Sequence, residues 1–183
     1  MTSEQESQLA SAVLMINPVR FESNPSTAAS NKFQGRNPDS SNKQQRDAAE
    51  EFVGLRAALE TSGIEVIQVD DTVEPHTPDA IFPNNWVSFH ADGTVVLYPM
   101  EAPNRRAERR PDIIETLVED HEFIVRKIVD LSTHEAQAQY LEGTGSLVLD
   151  RVNRVAYACL SSRTHLDALG DFAQRMGYEV LAF

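Results

Sequence analysis

The stretch PDAIFPNNW (residues 78–86) gathers polar side chains that could hold a small planar polar group. The carboxylate of Asp79, the amides of Asn84 and Asn85, and the ring of Trp86 together offer paired hydrogen bonds and a flat surface. Two prolines in the stretch restrict the backbone and aim these side chains reproducibly. Because Pro, Asp and Asn are also the residues of ordinary turns, the stretch taken alone favours a simple turn.

A second candidate is the acid Glu142, in LEGTGSLVLD (residues 141–150), which precedes two glycines at the head of an apolar strand. Glycines at this position let another backbone or a ligand approach closely. The neighbouring acid could orient a catalytic base. A phosphate-binding loop is not indicated, because the GxG has neither a third glycine nor a helix directly after it.

Five arginines are candidates for binding an anionic group. Most of the basic cluster that follows APN (102–104) is expected on a solvated helix face, with one member turned inward. Arg163, in LSSRTH (160–165), follows a buried strand, at the end where α/β folds concentrate their ligands. The cluster consists of Arg105, Arg106, Arg109 and Arg110.

Cys159 is the single cysteine, and it lies inside the apolar run VAYACL. We expect it to be a buried, inert thiol. The alternative is a nucleophile assisted by His165 and Glu142. The five histidines show no HxH or HxxxH pairing, and the acids around His76 lack a second histidine or thiolate. No metal site is therefore predicted.

The elements that must position these residues follow a threefold pattern. LETSGIEVIQVDD, VEDHEFIVRKIVDL and AQRMGYEVLAF each lead from the end of a helix into a strand. Gly63 and Gly177 follow the first and third helices, and Pro111 can occupy the first turn of the second. Apolar residues at helical spacing predict the buried faces of these helices. They are Ala48, Phe52, Leu55 and Leu59; Ile114, Leu117 and Val118; and Leu166, Leu169, Ala173 and Met176.

Hairpins precede the second and third helices, in WVSFH-ADG-TVVLYP and SLVLD-RVN-RVAYACL. The repeated unit is strand, strand, helix, strand. Its first copy is incomplete: a strand at 12–16 is followed by a polar segment, 24–45, which we expect to be a lid or disordered. The prediction is an α/β domain over 12–183, with repeats at 12–72, 73–131 and 132–183, after a disordered tail at 1–11. Repeats this short and weakly similar can also arise by chance.

The composition excludes several classes of protein. The 183 residues carry a formal charge of −12, with 41% hydrophobic residues, which suits one packed domain. An acidic surface repels the phosphate backbone, so nucleic acid is not an expected partner. No apolar run is long enough to span a membrane, and the acidic start is unlike a secretory signal. A cytoplasmic location is expected.

Taken together, the motifs resemble the guanidine-modifying (pentein) superfamily, which includes arginine deiminases, dimethylarginine dimethylaminohydrolases and amidinotransferases. PDAIFPNNW, APNRR (102–106), LEGTGS (141–146) and LSSRTH occur in family order. The sequence is most similar to the citrulline utilisation hydrolase branch, often labelled amidinotransferase-like. The resemblance implies a five-bladed α/β propeller around a polar channel, of which this chain would supply about three of the five repeats.

The resemblance also implies roles for individual residues. Asp79 corresponds to a carboxylate that grips the terminal nitrogens of the substrate, and Glu142 to the acid that partners the catalytic histidine. The arginines that hold the substrate's carboxylate or line the channel are similar to Arg105 and Arg163. Asn84 and Asn85 replace an acidic pair of the dimethylarginine branch. Amides donate as well as accept, so they suit a neutral ureido group such as that of citrulline.

The family's nucleophilic cysteine and catalytic histidine have no counterpart in the matching motifs of this chain. The resemblance therefore implies an amino-terminal, substrate-binding portion of a cofactor-free and metal-free hydrolase of arginine metabolism, inactive by itself. Its expected ligand is a small amino acid such as citrulline or arginine. The alternative is a non-catalytic binding or assembly module, which self-associates or pairs with a complementary fragment.

Overall fold

The computed structural model describes residues 7–28 and 40–183. Its strands are β1 (Ala12–Asn17), β2 (Glu65–Asp70), β3 (Val87–Phe89), β4 (Thr94–Leu97), β5 (Lys127–Asp130), β6 (Leu147–Asp150), β7 (Val155–Ala158) and β8 (Glu179–Ala182). The helices are α1 (Ser41–Thr61), α2 (Pro111–Asp120), α3 (Gly143–Ser146) and α4 (Leu166–Met176). Short 3₁₀ helices cover Pro83–Asn85, Pro103–Glu108 and Ser132–Gln137.

The sheets repeat one topology. β3 and β4 form an antiparallel hairpin, and β5 pairs in parallel with β4. β6 and β7 form the second predicted hairpin, and β8 pairs in parallel with β7. The incomplete first copy has only the parallel pair of β1 and β2, joined through α1. The fold is mixed α/β, and within the described ranges its sheets are small and do not close on themselves.

Local sequence signals account for the ends of these elements. Pro111 is the first residue of α2, where its missing N–H would have no helical partner anyway. Gly177 ends α4 in the left-handed conformation, with φ +67°. In the turn between β3 and β4, Gly93 has φ +81°, and its N–H donates to the carbonyl oxygen of His90 at 2.9 Å. The predicted hairpin and helix ends are confirmed.

The chain divides into two compact units. The first comprises residues 10–83 and 102–108, with β1, α1 and β2. The second comprises residues 7–9, 84–101 and 109–183, with the remaining strands. In the second unit, Phe172 of α4 is fully buried between Tyr98 and Tyr178, with ring centroids 6.0 and 5.5 Å away. This aromatic row lies in an aliphatic core built by both three-stranded sheets.

The helices bury narrower faces than the apolar spacing predicts. In α4, Leu169 and Met176 are buried as expected, whereas Leu166 is exposed. In α1, Phe52 is buried but Leu55 is 55% exposed, so its predicted burial is wrong. A two-stranded sheet gives α1 only a narrow surface to pack on, which accounts for the difference.

No helix of the described ranges is long and apolar enough to cross a membrane.

The two segments expected to lack structure are only partly described. Residues 29–39 of the predicted lid lie outside the described ranges, but Asn24 and Thr27 are buried, and α1 begins already at Ser41. The expectation of a loop throughout 24–45 is therefore wrong at its far end, which is helical from Ser41, whereas residues 24–28 are turn and loop. Residues 1–6 of the predicted tail also lie outside the described ranges. Within the second unit, the Gln8 side chain donates to the carbonyl oxygen of Leu149 and accepts from the N–H of Arg151.

Candidate functional site

Asp79 lies in a turn, in which the N–H of Ala80 donates to the carbonyl oxygen of Thr77 at 3.0 Å. Its side chain is nevertheless only 15% exposed. The carboxylate oxygen Oδ2 accepts hydrogen bonds from Asn24 Nδ2 at 2.7 Å and from Thr27 Oγ1 at 3.4 Å. The stretch is thus a turn, as its residue types favour, and it also holds a carboxylate in a fixed and largely buried position.

Arg105 is the buried member of the basic cluster, whereas Arg106, Arg109 and Arg110 are half-buried, so their expected place on a solvated helix face is wrong. Its Nε donates to Glu108 Oε1 and its Nη2 to Glu108 Oε2, both at 2.9 Å, and the two side chains are 5% and 1% exposed. Residues three apart eclipse one another on a 3₁₀ helix, which places this pair face to face on Pro103–Glu108. Arg105 Nε also lies 3.6 Å from Asp79 Oδ2. The bidentate pair therefore holds a positive charge beside Asp79.

The sequence pattern did not single out Asn24, whose residue is only 1% exposed. Its Oδ1 accepts from the N–H of Ser26 and from Nδ2 of Asn104, both at 3.0 Å. The run Asn-Pro-Ser-Thr is typical of a turn in which the asparagine bonds the backbone two residues on. That signal predicts the turn but not the partner 55 positions away. We call the residues assembled around Asp79 the Asp79 group: Asn24, Thr27, Asp79, Asn104, Arg105 and Glu108.

Glu142 is 2% exposed and belongs to the other compact unit. Its Oε1 accepts from the N–H of Glu101 at 3.0 Å, and its Oε2 from Arg163 Nη1 at 3.3 Å. The N–H of Glu142 donates to Ser146 Oγ at 2.9 Å, which fixes the backbone at this point. A buried carboxylate is tolerated when a positive charge and hydrogen-bond donors compensate its lost hydration, and both are present here.

The two glycines after Glu142 allow the close approach that their positions predict. Gly143 has φ +34°, and a Cβ there would lie 2.2 Å from the carbonyl oxygen of Asn84. A Cβ on Gly145 would lie 2.7 Å from Asn85 Nδ2, the atom that donates to the carbonyl oxygen of Glu142 at 3.4 Å. Asn84 and Asn85 thus pack directly on the turn that carries Glu142. We call Asn84, Asn85, Glu142 and Arg163 the Glu142 group.

The structure brings each predicted acid together with one predicted arginine: Asp79 with Arg105, and Glu142 with Arg163. Asn85 is buried and Asn84 is exposed. Trp86 is only 1% exposed, so its ring is part of the core and offers no open face to a ligand. Both groups present carboxylate and amide oxygens, which accept hydrogen bonds from N–H groups.

Cys159 is exposed, so the prediction of a buried thiol is wrong. In β7 the side chains alternate, with Ala156 and Ala158 buried and Tyr157 exposed, and Cys159 continues the outward series just after the strand. The apolar run VAYACL suggested a strand buried on both faces. Because the sheet is covered on one face only, alternation decides the burial of each residue.

His134 forms an ionic network in the second unit, away from the predicted roles. Nδ1 lies 2.8 Å from Gln139 Oε1, and Nε2 lies 2.9 Å from Asp171 Oδ2, so both ring nitrogens face acceptors. Partial burial disfavours the charged ring, but the hydrogen bonds to Gln139 and Asp171 outweigh it and raise the pKa of His134. In the described ranges, no cluster of three or more His, Cys, Asp and Glu side chains could hold a metal ion.

The family model for eukaryotic N,N dimethylarginine dimethylhydrolase matches residues 17–183. A comparison with curated proteins returned no match. Among solved structures, the substrate-bound N-terminal domain of ArgZ, a cyanobacterial arginine dihydrolase, has a TM-score of 0.65 and 21% identity. The match covers 93% of this chain and 56% of that one.

Two further structures are similar in fold. Dimethylarginine dimethylaminohydrolase from Pseudomonas aeruginosa, in complex with citrulline, has a TM-score of 0.64 and 17% identity, over 94% of this chain and 60% of that one. Unliganded AgrE has a TM-score of 0.68 and 22% identity, over 93% of this chain and 22% of that one. The chain therefore spans somewhat more than half of the first two proteins and less than a quarter of the third.

Proposed function

The chain belongs to the N,N dimethylarginine dimethylhydrolase family, and from this membership we propose that it is the substrate-binding portion of a hydrolase acting on citrulline or a related guanidino or ureido compound. We further propose that residues 12–183 form three of five propeller repeats, with boundaries near 72 and 131. The structures similar in fold include one with bound citrulline, which supports this choice of ligand. A cytoplasmic location is part of the same proposal, since a single cysteine needs no oxidising compartment.

The observation that carries the proposal is the asymmetry of the Asp79 carboxylate. Asn24 and Thr27 donate to Oδ2, and Arg105 Nε lies nearest to the same atom. No group in the described part of the chain donates to Oδ1. A carboxylate held by one oxygen and free to accept at the other suits a ligand with an N–H donor on a flat head group. Guanidino and ureido groups both provide such donors.

The Glu142 group supports the catalytic part of the proposal. Glu142 is buried, and its carboxylate is fixed by Arg163 and the N–H of Glu101. An acid fixed in this way suits the proposed role of orienting a histidine that acts as general acid and base. In the family mechanism a thiolate attacks the ureido or guanidino carbon, the amine leaves with a proton from the histidine, and water releases the adduct. The cysteine and histidine would come from other polypeptide, so this chain alone should not turn over substrate.

The amides of Asn84 and Asn85 bear on the choice between ligands. An amide places a donor and an acceptor side by side, which matches the C=O and NH2 of a ureido group. A pair of carboxylates at these two positions would instead match the positively charged guanidinium group of arginine. We therefore propose tighter binding of citrulline than of arginine, with Arg105 or Arg163 nearest the ligand's carboxylate. Equal affinity for the two amino acids would contradict this part of the proposal.

Titration calorimetry with citrulline and arginine tests the function directly. Asp79→Ala should abolish binding, because it removes the proposed acceptor. Asp47→Asn is the matched control, since Asp47 is an ion-paired carboxylate of the same compact unit on the exposed surface of α1. Binding that survives Asp79→Ala, or that Asp47→Asn removes equally, would refute the assignment.

A second candidate function is a non-catalytic assembly module. On the outer face of the sheet of β6, β7 and β8, one register row consists of exposed apolar residues: Val148, Tyr157 and Leu181, which are 69%, 39% and 48% exposed. Such a row of exposed apolar side chains favours association with another chain. A stable complex in light scattering, together with no binding of either amino acid, would support this alternative over the hydrolase portion.

A further inference from the structure

The orientation of the Asn24 amide is determined on both sides. Its Oδ1 receives two donors, the N–H of Ser26 and Nδ2 of Asn104, each at 3.0 Å. Its Nδ2 donates to Asp79 Oδ2 at 2.7 Å. A rotated amide would place an oxygen against the carboxylate and an NH2 group against two donors, which would lose all three bonds. Asn24 is also 1% exposed, so its side chain has no room to swing away.

Asn24 makes the shortest contact to the Asp79 carboxylate. Thr27 Oγ1 is 3.4 Å from Oδ2, and Arg105 Nε is 3.6 Å from it, beyond hydrogen-bond distance. The strong bonds of Arg105 go to Glu108. Arg105 thus supplies charge beside Asp79, whereas Asn24 fixes the direction of the carboxylate.

We propose that Asn24 is a positioning residue for Asp79: by holding Oδ2, it turns Oδ1 toward the N–H donors of the ligand. The inference rests on the proposed role of Asp79 in binding. It adds a residue from the segment before α1, 55 positions upstream, to the determinants of affinity. Each donor lost from the carboxylate should let it rotate away from the ligand.

If Asn24 only forms the turn, a different result is expected than if it positions Asp79. Two variants distinguish these two roles. Asn24→Asp keeps the shape and the Oδ1 acceptor for Ser26 and Asn104, but it removes the donor to Asp79 and adds a like charge. Asn24→Ser keeps a turn acceptor and is too short to reach Asp79. If Asn24 only formed the turn, both variants would fold and bind ligand as the natural protein does.

The pH dependence of ligand affinity is a readout that a purely structural role of Asn24 would not change. Two adjacent carboxylates retain a shared proton to higher pH than a lone one, and that proton restores a donor to Asp79. The charged groups packed against Asp79 in the described ranges are Arg105 and, through it, Glu108. Both residues are present in every variant. A recovery of citrulline affinity at low pH that is confined to Asn24→Asp therefore reports the proton shared between Asp79 and the introduced carboxylate.

The experiment is citrulline titration of the natural chain and the variants at pH 7.5 and pH 5. Losing a hydrogen bond to a charged group should weaken binding about ten- to hundredfold at pH 7.5 in both Asn24 variants. At pH 5 the gap to the natural chain should narrow for Asn24→Asp and persist for Asn24→Ser. Asn153→Asp is the matched control, because Asn153 Nδ2 donates to Asp150 Oδ2 at 2.7 Å in an exposed turn; its affinity should be unchanged.

Each outcome decides between the proposals. Unchanged affinity at pH 7.5 in a folded Asn24→Asp or Asn24→Ser protein would overturn the positioning role and leave the proposed function intact. A loss in Asn24→Asp that is equal at both pH values would overturn it as well, since it would report a structural defect. If the natural chain binds neither citrulline nor arginine, the proposed function fails and the inference fails with it.

Discussion

Gly143 is the glycine at which an added methyl group should destabilise the fold most. A Cβ there would lie 2.2 Å from the carbonyl oxygen of Asn84 and 3.0 Å from that of Asn85, and both obstacles are backbone. Relief requires the two turns to separate by about 1 Å, since a Cβ closer than 3.0 Å to another heavy atom is essentially never found. The left-handed φ of +34° adds strain for any residue with a side chain.

These costs can be added to an order of magnitude. Left-handed strain costs about 1–2 kcal/mol, overpacking about 1–3 kcal/mol, and the weakened bond from Asn85 to Glu142 about 1 kcal/mol. Gly143→Ala should therefore lower the free energy of unfolding by about 3–6 kcal/mol, which for a protein of this size lowers Tm by about 6–24 °C.

Guanidinium unfolding followed by tryptophan fluorescence is the appropriate assay. Trp86 is the only tryptophan, is 1% exposed and is adjacent to Asn85, so its emission reports this region directly. Gly170→Ala is the matched control: nothing lies within 4 Å of a Cβ built there, within α4, and it should stabilise the protein by about 0.5–1 kcal/mol. If Gly143→Ala unfolds within about 1 kcal/mol of the natural protein, the inferred close approach is refuted.

Three further predictions concern other parts of the chain. The raised pKa of His134 means that its charged form stabilises the fold below pH 6.5, as long as Asp171 stays ionised, and that this stabilisation is lost as the pH rises through the higher folded value; His134→Gln should abolish that part of the pH dependence of unfolding. Glu108→Gln should cost roughly 3 kcal/mol, because the buried guanidinium of Arg105 loses its bidentate counter-charge while Asp79 stays 3.6 Å from Nε, and a loss below about 1 kcal/mol would contradict this. The exposed Cys159 should react with iodoacetamide in the folded protein nearly as fast as in the unfolded chain, and strong protection would contradict its exposure.

The sequence predicted the elements well where the signals are local. Gly93 and Asp92 define the turn between β3 and β4, and Gly177 ends α4, because each of these conformations depends on a few neighbouring residues. The residue types of the candidate site were also visible, since Asp79 and Glu142 stand beside prolines and glycines that restrict or free the backbone.

What the sequence did not reveal depends on distant partners or on which face of an element is covered. Asn24 and Glu108 look like turn and surface residues until the fold brings Asp79 and Arg105 beside them. Leu55 and Cys159 look like core residues, but their burial depends on the width of the packing surface and on strand register. Neither property can be obtained from spacing alone.

The two hydrogen bonds between the Gln8 side chain and the backbone of β6 and its following turn affect the tendency of this chain to aggregate in concentrated solution. The side-chain amide of Gln8 acts as one residue of an additional strand, taking up the carbonyl oxygen of Leu149 and the N–H of Arg151 at the open edge of the sheet. Unpaired strand edges invite further strands and lead to aggregation. A shortened chain that begins after Gln8 would leave these two groups without the Gln8 side chain, so the edge of β6 could pair with a strand of another molecule.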